Sequence, residues 1–271
     1  MLMALTRAVP PSIDRCELTH LARTPIDYGR AVEEHDRYEA ELRAMGCRVE
    51  RLPDAPDLPD SVFVEDTAIV FDELAVIARP GAASRRSEVT TAMAALEKYR
   101  RVARIEAPGT LDGGDVLVTE RRVFVGDTPR TNADGARLLA ELIAPLGFDV
   151  IRVPVTECLH LKSAVSRLPQ SNPVRPPGFG RQALLISCAW IDAAPFDGFE
   201  LIEVDPSEPA AANVLTIGDS VLCPEEFPRT RAVLNACGFV TRSVPAGELA
   251  KAEGGLTCGS LVFEAFNTPP S

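Results

Sequence analysis

Polar side chains with catalytic chemistry recur at one position along this sequence, the start of a strand that follows a loop. Cys258 stands there in GGLTCGSLVF, where two glycines precede it and let a ligand approach the backbone closely. A cysteine at such a point is more often a small core residue. The same position in other segments carries Glu65 with Asp66, Asp112 with Asp115 just after it, His160, and Asn213.

A thiol and an imidazole that share a pocket with a carboxylate form the general arrangement for nucleophilic catalysis. The chain has three histidines, and only His160 is in register with Cys258. His35 lies on the apolar side of a predicted helix, so we expect it to be a partly buried side chain of that helix rather than a ligand. His20 lies in a loop and has no local partner. Polar residues at strand starts also serve as caps, and we favour that interpretation for Asn213.

The acidic residues at these positions indicate the charge of the ligand. Carboxylates raise the pKa of a neighbouring thiol, and a guanidinium bound bidentately to Glu65 or Asp66 would cancel their charge. We therefore expect Cys258 to be largely protonated until a cationic ligand binds.

A second recurrent position, just before the predicted helices, carries arginines. It holds Arg85 or Arg86, Arg130 and Arg229. Two arginines on a cleft rim can clamp a carboxylate, whereas we expect Arg229 to be solvated. A ligand with a guanidinium inside and a carboxylate at the rim is an arginine derivative.

The elements that carry these residues repeat along the chain. Five stretches read as a short strand, a loop, a second strand, usually a third, and then an amphipathic helix, with a period of roughly 50 residues. We predict one α/β domain over residues 1–271, a five-unit propeller with units at 46–100, 101–148, 149–198, 199–238 and 239–266. The last unit lacks a helix, and the N-terminal segment 1–45, with a helix predicted over 26–45, closes the ring and protects the sheet edges. SNPVRPPGFG (171–180) is predicted to be a surface loop.

Composition limits the class of protein. The 271 residues are 46% hydrophobic and 25% charged, with a net charge of −11. The acidic balance argues against a nucleic-acid surface, and no apolar run reaches membrane-spanning length. Seven scattered cysteines, an odd number without a C-x-x-C pair, suggest neither disulfides nor a zinc site. With no signal-peptide core near the start, we expect a cytoplasmic protein.

Six segments of the chain resemble one family. PDSVFVEDTAIV, ARPGAASRRSE, APGTLDGGD, RTNADGA, LHLKS and GGLTCGSL resemble dimethylarginine dimethylaminohydrolase, of the pentein superfamily of guanidine-modifying enzymes. The resemblance implies an α/β propeller of five ββαβ units. It also implies hydrolysis of Nω-methylated L-arginine, as asymmetric dimethylarginine or monomethylarginine, to L-citrulline and dimethylamine or methylamine, through a covalent cysteine thiouronium intermediate and without metal or organic cofactor.

The resemblance also implies roles for individual residues. Cys258 would be the nucleophile, His160 the general acid and base, and Asp112 the carboxylate that orients the histidine. The implied substrate-binding residues are Asp60, Glu65 and Asp66 around the guanidinium and amine, Arg85 and Arg130 at the carboxylate, the lid residue Leu18, and the backbone near Ala252.

Other functions of similar pockets remain as alternatives. Arginine deiminase and amidinotransferase use a similar thiol, histidine and carboxylate, usually in longer chains, and the five-unit ring also serves as a non-catalytic binding module. The expected partner is a small-molecule substrate, with neither nucleic acid nor membrane, and a homodimer is one option for assembly. The segment 171–180 and the tail after Phe263 depart from the family pattern.

Overall fold

The computed structural model of the protein describes residues 1–170 and 182–265. Its strands form five separate three-stranded sheets within this part of the chain. The strands are β1 Leu2–Thr6, β2 Arg48–Arg51, β3 Ala68–Val70, β4 Leu74–Ile77, β5 Arg101–Arg104, β6 Val116–Val118, β7 Arg122–Asp127, β8 Asp149–Pro154, β9 Val165–Arg167, β10 Ala183–Ile186, β11 Glu200–Glu203, β12 Leu215–Ile217, β13 Ser220–Pro224, β14 Val240–Val244 and β15 Leu261–Glu264.

The sheets share one topology. The central strand pairs antiparallel with the strand before it in the unit and parallel with the strand after it, as in β3–β4–β5 and β6–β7–β8. The fifth sheet has the order β15–β1–β2, so strands from the two ends of the described chain pair in it, with Leu5 opposite Leu261.

Helices supply most of the crossovers that the parallel pairs require. The helices are α1 Tyr28–Ala44, α2 Val89–Leu96, α3 Ala133–Ile143, α4 Leu161–Ala164, α5 Pro228–Ala236 and α6 Gly247–Ala250. Of these, α1, α2, α3 and α5 are the crossovers. Helix α1 agrees with the helix predicted over 26–45. It begins at Asp27, whose side chain accepts a hydrogen bond from the Arg30 amide, and the chain turns away at Gly46, whose φ is 96°.

The sheets do not follow the repeat boundaries predicted from sequence. In every unit the strand predicted to open the repeat, such as β5 or β8, pairs with the sheet that precedes it. The predicted boundaries at 100/101 and 148/149 therefore separate a strand from its own sheet. The physical reason is the crossover itself, since a strand that follows a helix returns parallel to the strand that the helix left.

Five apolar clusters show that the sheets form a ring. Successive residues of each central strand point to opposite faces and pack into different clusters, since side chains alternate along a strand. The pairs are Ala4 and Leu5 in β1, Val76 and Ile77 in β4, Phe124 and Val125 in β7, Leu185 and Ile186 in β10, and Val221 and Leu222 in β13. Each cluster joins two neighbouring sheets, and the fifth joins β13 back to β1.

Two sequence-based expectations concern other parts of the chain. The loop predicted at 171–180 and the tail beyond residue 265 lie outside the described residues. In the described ranges, every helix is too short or too polar to cross a membrane.

Candidate active site

The turns predicted to converge meet around one cavity. Glu65 and Asp66 lie in the turn Val64–Thr67 before β3, Asp112 precedes the turn Gly113–Asp115 before β6, His160 precedes α4, and Cys258 precedes β15. These turns bond to one another: the Glu65 amide donates to the Cys258 carbonyl (3.1 Å), and the Gly114 amide donates to Asp66 Oδ1 (2.9 Å). Residues that are far apart in sequence are therefore held together by backbone contacts.

The cavity opens to solvent, and the space in it, including that at its open side, is about 280 Å³. Seven of the ten residues that the sequence assigned to the site line it: Asp60, Asp66, Arg85, Arg130, His160, Ala252 and Cys258. The thiol and the imidazole thus face the same space.

Glycines allow these turns to approach so closely. A Cβ on Gly113 would lie 2.0 Å from the Glu65 carbonyl oxygen, and one on Gly114 would lie 2.5 Å from His160 Nδ1. Both distances are shorter than any real contact of a Cβ atom. The two glycines of LDGGD are therefore required for the imidazole of His160 to lie in this position.

The imidazole of His160 is held by carboxylates in a buried position. Its Nε2 lies 3.0 Å from Asp112 Oδ2, and the Gly81 amide fixes the other Asp112 oxygen at 2.9 Å. Its Nδ1 lies 3.7 Å from Asp66 Oδ1. Burial lowers the pKa of His160, but the negative charges of Asp66, Asp115 and Asp112 outweigh it and raise the pKa to about 9. At neutral pH the ring is therefore an imidazolium that can donate a proton.

The thiol of Cys258 has the opposite protonation preference. Burial, followed by the charges of Glu65 and Asp66, raises its pKa to about 12. The site therefore pairs a neutral thiol, which the acidic surroundings led us to expect, with a charged imidazole.

The two neighbouring acids have different partners. Asp66 lines the cavity, and the charges of His160 and Arg85 hold its pKa below the ordinary value despite its burial. Glu65 instead accepts from Lys162 Nζ at 2.5 Å and from Thr257 Oγ1 at 2.6 Å. Glu65 is not among the residues that line the cavity, and the contact of a guanidinium with Glu65 or Asp66 stays a prediction.

Arg85 lies deeper than the rim position expected from sequence. Its side chain is only 4% exposed, and it donates to Asp66 Oδ2 at 2.6 Å and to Glu88 Oε2 at 2.9 Å. It also donates to the carbonyls of Asp60 and Phe63. The guanidinium is buried because these oxygens surround it, and it faces the cavity from within the wall.

Arg130 lines the cavity and contacts the loop around Leu18. Arg130 Nη2 donates to Thr19 Oγ1 at 3.2 Å. Leu18 packs against the apolar cluster that contains Ala252 and Cys258, and the neighbouring Glu17 amide donates to Asp60. Leu18 itself is not one of the lining residues.

Three of these groups also have the spacing of a metal site. Within the described ranges, ligand atoms of Asp66, Asp112 and His160 lie within 4.8 Å of one another. Each carboxylate oxygen of Asp66 and Asp112 already has a partner, respectively Gly114, Arg85, Gly81 and the imidazole. An ion pair with the imidazolium accounts for this cluster, and a site without metal stays a prediction.

Sequence reasoning missed several residues of the site. Lys162, two residues after His160, neutralises Glu65, and its basic side chain in LHLKS was a signal of that role. Glu253 lines the cavity between Ala252 and the glycines, and its acidic side chain there went unassigned. Asn213 bridges the Lys162 carbonyl and Thr257, which agrees with the structural role expected for it.

Solved structures of similar fold support the architecture. A dimethylarginine dimethylaminohydrolase from Pseudomonas aeruginosa, a cysteine-to-serine mutant complexed with citrulline, matches with a TM-score of 0.87 at 30% identity, covering 96% of this chain and 98% of that one. The N-terminal domain of a cyanobacterial arginine dihydrolase matches with a TM-score of 0.82 at 19% identity, covering 99% of this chain and 98% of that one, and shows the fold alone. The predicted five-fold pentein α/β propeller is confirmed.

Sequence comparison identifies the family. A model described as N,N dimethylarginine dimethylhydrolase, eukaryotic, matches residues 22–164. The N(G),N(G)-dimethylarginine dimethylaminohydrolase of Streptomyces coelicolor is 38% identical over 95% of both chains. The enzyme of that name from Pseudomonas aeruginosa is 32% identical over 93% of this chain and 94% of its own. The chain therefore belongs to the dimethylarginine dimethylaminohydrolase family.

Proposed function

We propose that this protein hydrolyses Nω-methylated L-arginine, releasing L-citrulline and dimethylamine or methylamine. The observation that carries the proposal is a cavity lined by both Cys258 and His160, with Asp112 Oδ2 3.0 Å from His160 Nε2. The name shared by two relatives and the citrulline bound to a similar structure support this substrate class.

The cavity has groups for both ends of such a substrate. Asp66 lies next to the imidazole and accepts hydrogen bonds from the guanidinium. Glu65 does not line the cavity and attracts the guanidinium through its negative charge. Arg130 at the mouth binds the α-carboxylate, with Arg85 adding positive charge from the wall. Asp60 and the backbone at Ala252 receive the α-ammonium, and Leu18 covers the bound molecule.

The proposed reaction starts from the neutral thiol. A bound guanidinium offsets the carboxylates that raise the pKa of Cys258, so the thiol releases its proton to solvent water before the loop closes, and the thiolate attacks the guanidinium carbon. The His160 imidazolium, oriented by Asp112, then protonates the departing amine as the carbon–nitrogen bond breaks. This leaves a thiouronium on Cys258 and a neutral imidazole.

Water completes the proposed cycle. The neutral His160 removes a proton from a water molecule that attacks the thiouronium carbon, which restores the imidazolium. The carbon–sulfur bond then breaks with its electron pair on sulfur, and the proton on the new urea group passes to the thiolate, leaving citrulline and the neutral thiol. The loop around Leu18 excludes bulk water during the first half-reaction.

A citrulline assay with dimethylarginine, monomethylarginine, arginine and agmatine in parallel tests the proposal. We expect turnover of the methylated arginines, loss of citrulline in Cys258→Ser, and an unchanged circular dichroism spectrum in that variant. Preferred turnover of arginine would instead indicate a deiminase, and citrulline formation by Cys258→Ser would exclude the thiol as nucleophile.

Compartment and assembly are further parts of the proposal. All seven cysteines are free thiols, five of them buried, which suits a reducing compartment, and we place the protein in the cytoplasm. A homodimer stays a prediction that light scattering of the purified protein measures.

A further inference from the structure

One carboxylate holds three successive backbone amides of the loop above the cavity. Glu253 Oε1 accepts from the amides of His20 (2.5 Å) and Leu21 (2.6 Å), and Oε2 accepts from that of Thr19 (3.0 Å). Successive amides that point to one anion form an anion-binding nest. Here the anion is a side chain from another wall segment of the cavity, 232 to 234 residues away in sequence.

The backbone of Glu253 is in an unfavourable conformation. Among the described residues, it alone combines a side chain with a positive φ, at 59°. Such a conformation costs free energy in a residue with a Cβ and persists where surrounding contacts enforce it. A glycine at position 253, like the one that follows at 254, would adopt it without this cost. The position therefore retains a side chain against the backbone preference, and the visible contacts of that side chain are the loop amides.

The loop held by Glu253 also touches the substrate-binding groups. The Glu17 amide donates to Asp60, and Arg130 donates to Thr19 Oγ1. Glu253 itself lines the cavity. In this position Glu17 of the loop lines the cavity, and Leu18 packs against the cluster that contains Cys258. The contacts of Glu253 therefore hold the loop against the cavity.

We propose that Glu253 is the positioning residue that latches the loop 17–21 over the cavity and thereby sets the affinity for substrate. The proposal rests on the proposed function only in that the occupant of the cavity is the substrate. Removing the latch populates the open loop, which weakens the retention of substrate and leaves the reacting groups Cys258, His160 and Asp112 in place.

Amide hydrogen exchange on the ligand-free protein tests the latch without turnover. In Glu253→Gly we expect the amides of Thr19, His20 and Leu21 to exchange about tenfold faster or more, since each loses its acceptor. Exchange in the central strands should not change, and the melting temperature should stay level or rise because glycine relieves the positive φ. Glu253→Gln keeps an acceptor oxygen, so the exchange rates of these three amides should lie between those of the wild type and Glu253→Gly. In the control Glu97→Gln, which changes an exposed residue, the rates should match those of the wild type.

Steady-state kinetics with dimethylarginine separate a latch from a general structural role. We expect KM to rise about tenfold in Glu253→Gly, because part of the binding free energy is then used to close the loop. We expect kcat to stay within about threefold, because saturating substrate still holds the loop closed. Unchanged exchange at residues 19–21 would overturn the proposal, as would a lower melting temperature with faster exchange throughout the protein. Localised faster exchange in a protein that turns over no methylated arginine would keep the latch and reject the proposed function.

Discussion

The protonation state of Cys258 before substrate binds is the most discriminating property of this site. With a pKa of about 12, the thiol would carry a thiolate fraction of about 10⁻⁵ at pH 7 and about 10⁻⁴ at pH 8, against about 0.2 at pH 8 for an unperturbed cysteine. Alkylation of Cys258 by iodoacetamide at pH 8 should therefore be roughly a thousandfold slower than that of free cysteine, before any steric effect.

Thiolate absorbance near 240 nm measures the same property directly. The difference between the wild type and Cys258→Ser removes the signals of the other six cysteines and of the tyrosines. We expect this difference to stay flat from pH 6 to about pH 10 in the ligand-free protein and to appear near neutral pH when a guanidinium ligand occupies the cavity.

A charge variant checks the cause of the high pKa. Glu65→Gln removes one of the two carboxylates next to the thiol and leaves Lys162 with its positive charge, so the Cys258 pKa should fall by about one unit or more. A thiolate that dominates at pH 7 without ligand would refute the reasoning, and so would a Glu65→Gln variant whose thiol titrates as in the wild type.

Four other outcomes follow from the geometry. Asp112→Asn should reduce kcat by about 10²–10⁴-fold with little change in KM, because the imidazole loses the acceptor that orients it and stabilises its charge; steady-state kinetics measure both. Gly114→Ala should abolish most activity, since the added methyl would lie 2.5 Å from His160 Nδ1 and 2.7 Å from Asp66 Oδ1 and would displace both groups; the citrulline assay measures the loss. Because the pKa of His160 rises from 6.5 to about 9, its charge contributes up to about 3 kcal/mol of stability below pH 6.5 that is lost as the pH rises through 9; denaturant unfolding of the wild type and His160→Asn should converge over that interval. Arg85→Met should cost about 3–5 kcal/mol in the free energy of unfolding because it leaves buried carboxylates unpaired, whereas Arg137→Met should leave the free energy of unfolding almost unchanged because its ion pairs are exposed to solvent.

Much of the catalytic centre was predictable from the sequence because the repeats carry it. Equivalent positions of similar units face a common axis, so the register of Asp66, Asp112, His160 and Cys258 was enough to predict that they meet. The helix over 26–45 was predictable for a local reason, since its apolar spacing, Asp27 at its start and Gly46 at its end are all contained in one segment.

Partner choice was decided by the tertiary structure. Glu65 could pair with a guanidinium or with Lys162, and only the folded chain brings that ammonium, 97 residues away, within 2.5 Å. Arg85 is buried rather than exposed at the rim because Asp66 and Glu88 both reach it, and β5 joins the sheet before it because a crossover returns there. A local sequence pattern specifies which residues alternate, turn or carry charge. Which of several oppositely charged or hydrogen-bonding groups lies nearest is a property of distances across the ring, and these distances exist only once the sheets have packed.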